Sequence, residues 1–185
     1  MKNYHALRPS SESIEYYVYN SAGVLFEEQT TGMFMTNNVV GKLDPTKNGI
    51  LPGDFRTDFA SNYTLTIQVE NFENNMHFTL FLPEEIDFDE ADPVCIGLSG
   101  TDTDTLRCDT SRSTKSLTFT NAFQFKQGNP GEMKILIENL KNPVDNIITK
   151  SFSLVTATAD GYGMDELNED ITINFYCEYP CAACP

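Results

Sequence analysis

The stretch Tyr63-Thr64-Leu65-Thr66-Ile67-Gln68-Val69-Glu70 decides the fold. Its apolar residues Tyr63, Leu65, Ile67 and Val69 alternate with polar Thr64, Thr66, Gln68 and Glu70. Successive side chains of a strand point to opposite faces, so this period of two describes a strand with one dry and one wet side. Asn71 to Asn75 supply turn chemistry, and Met76, Phe78, Leu80 and Leu82 then alternate with His77 and Thr79 until Pro83 removes a ladder donor. The two runs together predict a hairpin.

Working outward, the same period recurs. Ile14 to Tyr19 and Val24 to Glu28 flank Asn20-Ser21-Ala22-Gly23, and Leu117 to Phe125 follows a polar loop rich in Thr, Asp and Ser. Lys134 to Leu140, Ser151 to Thr158 and Ile171 to Cys177 are separated by turns that include Asn142-Pro143 and Asp160-Gly161. Helical signals are nearly absent, with a single turn around Met164 to Asn168 the only candidate. Regular short strands with this punctuation predict an all-β antiparallel sandwich. Residues 1–176 read as one such domain, with 41–59 a breaker-rich long loop or boundary and 177–185 the start of a cysteine-rich segment. The strands before residue 41 are too few to bury a core of their own, so they are expected to pair with those after it.

The 185 residues carry 27 acidic and 12 basic side chains, a formal charge of -15. That field repels a phosphate backbone, and no basic stripe offsets it, so nucleic acid is excluded as an expected partner. No apolar run approaches the ~20 residues of a membrane-spanning helix. Met1 to Ser13 holds Lys2 and Arg8 without an apolar stretch of the signal-peptide kind, so the chain reads as a mature form or a piece of a longer protein.

Five cysteines are placed unevenly: Cys95 and Cys108 in the middle, then Cys177, Cys181 and Cys184 within the last nine residues. The internal pair, twelve residues apart, suits a disulfide that closes a loop and stabilises the fold by about 3 kcal/mol in the chain-entropy account. Such a bond implies an oxidising compartment, hence an extracellular or cell-surface location. The odd count leaves a thiol whose partner lies elsewhere. In the tail, a structural zinc site wants four ligands and finds three cysteines with no histidine beside them, so disulfides are favoured there.

Chemistry is sparse. The two histidines, His5 and His77, sit in an unpatterned N-terminal region and on the polar side of a strand, which suits surface residency better than a general base. There is no nucleophile elbow, no phosphate-binding glycine loop and no dinucleotide fingerprint. With so many carboxylates, pairs occur by chance, so a glycosidase reading has no specificity. No enzyme activity and no cofactor are expected. Calcium is the one metal worth naming, since hard cations take carboxylate oxygens from loops. Its weak candidates are Asp87, Asp89 and Asp92, with Glu90, before Cys95, then Asp102 and Asp104 between the central cysteines, then Asp165, Glu166, Glu169 and Asp170. None has EF-hand spacing. Asn62-Tyr63-Thr64 is the sole N-glycosylation sequon, so Asn62 is the glycan candidate.

The succession Tyr63-Thr-Leu-Thr-Ile67, Phe78-Thr-Leu-Phe-Leu-Pro83, Cys95 to Cys108, Ile135-Leu-Ile-Glu-Asn139 with Asn142-Pro143, and Ser151-Phe-Ser-Leu-Val-Thr156 resembles β-sandwich modules of ciliate and related protist surface proteins. The resemblance covers about residues 60 to 185. It implies an Ig-like module with one internal disulfide, followed by a furin-like or EGF-like cysteine-rich segment beginning at Cys177. It further implies a structural or adhesive role in a coat or filament and supplies no active site. Self-association through strand edges, or by the apolar-aromatic strand Ile14 to Tyr19 added to a neighbour, is the expected assembly mode, with neighbouring domains of the same polypeptide and glycans as further expected partners. A glycan- or calcium-binding module is the alternative expectation.

Overall fold

The computed structural model describes residues 14–19, 21–23, 25–33, 40–69, 76–101, 106–122, 132–168 and 171–177. The strands, in chain order, are β1 (Ile14–Tyr19), β2 (Leu25–Met33), β3 (Gly41–Lys42), β4 (Gly49–Pro52), β5 (Ala60–Ile67), β6 (His77–Phe81), β7 (Asp87–Phe88), β8 (Val94–Ser99), β9 (Arg107–Ser111), β10 (Ser116–Thr120), β11 (Met133–Lys141), β12 (Ser153–Ala157) and β13 (Gly163–Leu167). No helix occurs among the described residues, and so none long and apolar enough to cross a membrane.

Two sheets form the sandwich. One has the order β3-β13-β12-β6-β10-β9; the other runs β4-β5-β11, with β7 and β8 both paired to the far side of β11. All pairings are antiparallel except β3 with β13. Tyr63, Leu65 and Ile67 of β5 and Met133, Ile135 and Ile137 of β11 point inward from one sheet. Phe78 and Leu80 of β6, Leu117 and Phe119 of β10 and Leu154 of β12 meet them from the other, in one continuous core. The Phe78 and Phe119 rings, opposite each other in register, stack at 4.5 Å between centroids. The described residues therefore form an all-β sandwich with an internal disulfide.

Several expectations are corrected. The runs Tyr63–Val69 and Met76–Leu82 are strands with the anticipated buried faces, yet they make no hairpin: β5 lies in one sheet between β4 and β11, β6 in the other between β10 and β12. A strand with one apolar face is served equally well by a neighbour beside it or a sheet opposite it, and alternation does not say which. The turn around Met164 is strand β13, whose Leu167 pairs opposite Leu154 while Met164 is buried in the core. The breaker-rich stretch 41–59 supplies a strand to each sheet, β3 and β4. A side chain at Gly41 would force a shift, because a Cβ there would sit 1.9 Å from Oδ1 of the buried Asp165 on β13. The strands before residue 41 pair only with each other among the described residues, β1 with β2, across a turn in which Gly23 takes φ 77°.

The segment 171–177 is held on both sides. Ile171 and Ile173 carbonyls accept from Phe152 and Thr149 N–H groups, and Phe175 N–H donates to Ile147 O. On the other side Tyr176 N–H donates to Phe55 O and its carbonyl accepts from Thr57 N–H. Ile171, Ile173 and Phe175 are buried, as their parity predicts, and Cys177 is half-buried.

Candidate functional site

Cys95 and Cys108 are disulfide-bonded, with Cα atoms 5.9 Å apart. They close the chain segment between them, as the spacing suggested, and each lies within a strand, Cys95 on β8 opposite Ile137 and Cys108 on β9 opposite Phe119. Because β8 and β9 are outer strands of different sheets, the bond closes one open side of the sandwich. The inward half of β8 is Cys95, half-buried, and the buried Gly97. Its outward half is Val94, Ile96 and Leu98, which are 48%, 41% and 53% exposed.

An aliphatic outer face on an edge strand is unusual, since edges are normally blunted by charge, proline or brevity. The remaining edges here follow that rule: β3 and β7 are two residues long and carry Lys42 and Asp87, β4 ends in Pro52, and β9 carries exposed Arg107 and Asp109. Strand β8, Val-Cys-Ile-Gly-Leu-Ser, has no charge and no proline, and its second edge has no strand partner among the described residues. Gly100 ends it at φ 70°, where a Cβ would meet Glu132 O at 2.5 Å. At its start, Asn139 takes φ 64° at the register shift of β11. Its carbonyl accepts from Asp89 N–H, and its amide donates to Asp92 O, which fixes the lead-in to β8.

That lead-in holds the calcium candidates Asp87, Asp89 and Asp92. They are distributed rather than gathered: Asp87 faces Lys115 at 3.8 Å and Asp92 faces Arg112 at 3.0 Å, while Arg112 also donates to Asp89 O. Among the described residues no three of His, Cys, Asp or Glu converge as a metal site. Asp165 is buried within β13 and bonds Thr156 through its backbone, and Glu166 is half-buried on the same strand. Asp102, Asp104, Glu169 and Asp170 lie outside the described residues, as do His5, Cys181 and Cys184. Cys177 is disulfide-bonded, to a partner outside the described residues. Asn62 is exposed on β5, and His77 is half-buried on β6 opposite Ala157.

A second polar centre lies at one end of the sandwich, where sequence reasoning saw only the Asn142-Pro143 turn. The Tyr63 hydroxyl, wholly buried, donates to Asn142 Oδ1 at 2.5 Å, and Asn142 Nδ2 donates to the carbonyls of Asp54 (2.9 Å) and Arg56 (2.7 Å). Burial pushes the Tyr63 phenol well above its ordinary pKa. The loop so held presents Arg56, which clasps the Asp54 carboxylate and lies 4.3 Å over the Phe59 ring. Hydrogen bonds from Arg56 lower the Asp54 pKa. Tyr176, 52% exposed, is bridged to Arg56 in parallel, so Phe59, Arg56 and Tyr176 share one exposed surface. A groove of about 420 Å³ beside β4, lined in part by Lys47, Leu51, Thr64 and Glu132, holds a single carboxylate and no histidine.

No protein-family description matches the chain, and no curated protein does. Among solved structures it is similar to an uncharacterized protein from Nocardia farcinica described as revealing an immunoglobulin-like fold, with 15% identity and TM-score 0.40 over 69% of this chain and 96% of that one. It is also similar to a chain of the RrgA Jo.In complex, with 12% identity and TM-score 0.38 over 57% of this chain and 69% of that one.

Proposed function

We propose that the chain is a non-enzymatic structural or adhesion module of an extracellular coat or filament protein, joined to neighbouring chains through an open strand edge. The observation that carries this reading is β8: an edge strand with an exposed Val94-Ile96-Leu98 face, no blocking charge, and a disulfide through Cys95 that holds it in place. Main-chain groups of such an edge pair readily with an added strand, and the aliphatic face rewards the pairing. The disulfide supports an oxidising location, and a surface glycan at the exposed Asn62 accords with it. The resemblance to protist surface modules supports a coat or filament role.

The test follows association of the full chain, with itself and with added strand-forming peptides, by light scattering and fluorescence anisotropy. The wild type is expected to take up an added strand at this edge and Ile96→Lys, which places a charge on the open edge, to lose it. A wild type that stays monomeric and takes up no strand overturns the reading. Glycan binding is the second reading, favoured by the exposed Phe59-Arg56-Tyr176 surface, on which a sugar ring can stack. A glycan array on which Phe59→Ala and the wild type behave alike removes it. Calcium binding has only the dispersed carboxylates behind it, and a calorimetric titration without heat dismisses it.

A further inference from the structure

We infer that the β8 edge takes an extended segment of a different protein, one with apolar side chains at alternate positions and lysine or arginine at the end that meets the start of β8. This inference rests on the edge reading above and names the occupant, which is chosen by charge. The strand itself is neutral, but its approach is acidic: Asp87, Asp89, Glu90 and Asp92 precede it, and Glu138 pairs opposite Val94. Arg112, Lys115 and Lys141, the last paired opposite Asp87, are the cations facing that approach, against five carboxylates, so the approach stays net acidic. A segment that is apolar in the middle and basic where it meets the start of β8 matches both parts, since complementary potential steers encounter and fixes register.

A second copy of the chain does not match. It carries -15 as a whole, and the strands it holds outside the sandwich, β1 with Glu15 and β2 with Glu27 and Glu28, are acidic. Bringing either beside Asp87 to Asp92 sets like charges together, which opposes association by repulsion. Length also fits a peptide ligand better than a subunit. A pairing over the six residues of β8 falls short of the ~1,200 Å² typical of a stable protein interface, whereas strand addition by a peptide works on main-chain bonds and alternate side chains.

The experiment uses the full oxidised chain and three fluorescent peptides that share a six-residue Val/Thr-alternating centre and differ only in flanks of two lysines, two serines or two glutamates. Anisotropy should show the lysine-flanked peptide binding at least about fivefold more tightly than the serine-flanked one, with no glutamate-flanked binding, and the advantage should fade as salt is raised. Ile96→Lys should abolish binding with an unchanged melting temperature, and Glu90→Lys with Glu138→Lys should erase the lysine preference while leaving serine-flanked binding intact. If the three peptides bind alike, or only copies of the chain associate, the basic-partner inference is overturned and the edge reading stands. If no peptide binds and the chain stays monomeric, both fall.

Discussion

Asn142 ties its own turn to the distant stretch that holds Asp54, Arg56 and Tyr63, and its removal makes the sharpest test of how this end of the sandwich is held. In Asn142→Ala the buried Tyr63 hydroxyl loses its acceptor, and the carbonyls of Asp54 and Arg56 lose their donor. A buried hydroxyl left unmet costs about 1–3 kcal/mol, and a part-buried carbonyl that water can reach costs about 0.5–1 kcal/mol. The sum is about 3 kcal/mol, which in a chain of this size lowers Tm by roughly 6–12 °C. Thermal and urea melts of the wild type, Asn142→Ala, Tyr63→Phe and the double variant measure it. Tyr63→Phe leaves only Asn142 Oδ1 unmet, and the two losses should be non-additive by about 1–2 kcal/mol, because the second change removes a bond already broken. A loss under about 1 kcal/mol for Asn142→Ala, or strict additivity, would refute the claim that this amide is the joint of the corner.

Other outcomes follow from the same geometry. Replacing Cys95 and Cys108 by serine should cost about 3 kcal/mol for a closed loop of this length, and hydrogen exchange should rise first in β8 and β9; an unchanged melting curve would show that the two edges hold without it. Gly41→Ala drives a methyl group into the Asp165 carboxylate and should destabilise by about 1–3 kcal/mol, read by denaturant midpoint. Acid should weaken the fold below about pH 4.5: hydrogen bonds from Thr46, Arg56 and Lys150 hold the folded pKa of Asp44, Asp54 and Glu84 below the ordinary 3.8 or 4.5, so that their contribution is complete above those values and is lost as pH falls through the depressed ones. Tyr63 has the opposite sign, with its folded pKa raised above 10.0, so its contribution holds below pH 10.0 and fades in stronger alkali. Ultraviolet titration should show one phenol ionising only as the chain unfolds, an effect absent in Tyr63→Phe.

Alternation made much of this fold readable. Tyr63, Leu65 and Ile67, or Ile135 and Ile137, announce their buried face because a strand has only two sides. What alternation cannot convey is the neighbour, so β5 and β6 were legible as strands and illegible as members of opposite sheets. Strand β13 was hidden because Gly163-Met164-Asp165-Glu166-Leu167 lacks the β-branched residues that advertise strands, and its pairing with β12 overrides that weak local preference. The candidate edge was the most concealed. Val94, Ile96 and Leu98 do alternate with Cys95, Gly97 and Ser99, but the cysteines drew attention to loop closure, and an outward-facing aliphatic set reads as an inward one until its surroundings are known.

The order of strands within the sheets also sets a timetable. The pairing of β5 with β11 joins residues near 65 to residues near 135, and β6 reaches β12 near 155. One wall of the sandwich is incomplete until Lys141 and the other until Leu167, so a polypeptide emerging from a ribosome or threading a translocation pore stays without its core until those residues are out. Topologies with contacts this distant also fold slowly, on the millisecond-to-second scale. Local pairs such as β4 with β5 and β9 with β10 can form earlier, and so can the disulfide from Cys95 to Cys108, thirteen positions along the chain, which would bring β8 and β9 together before either wall is built.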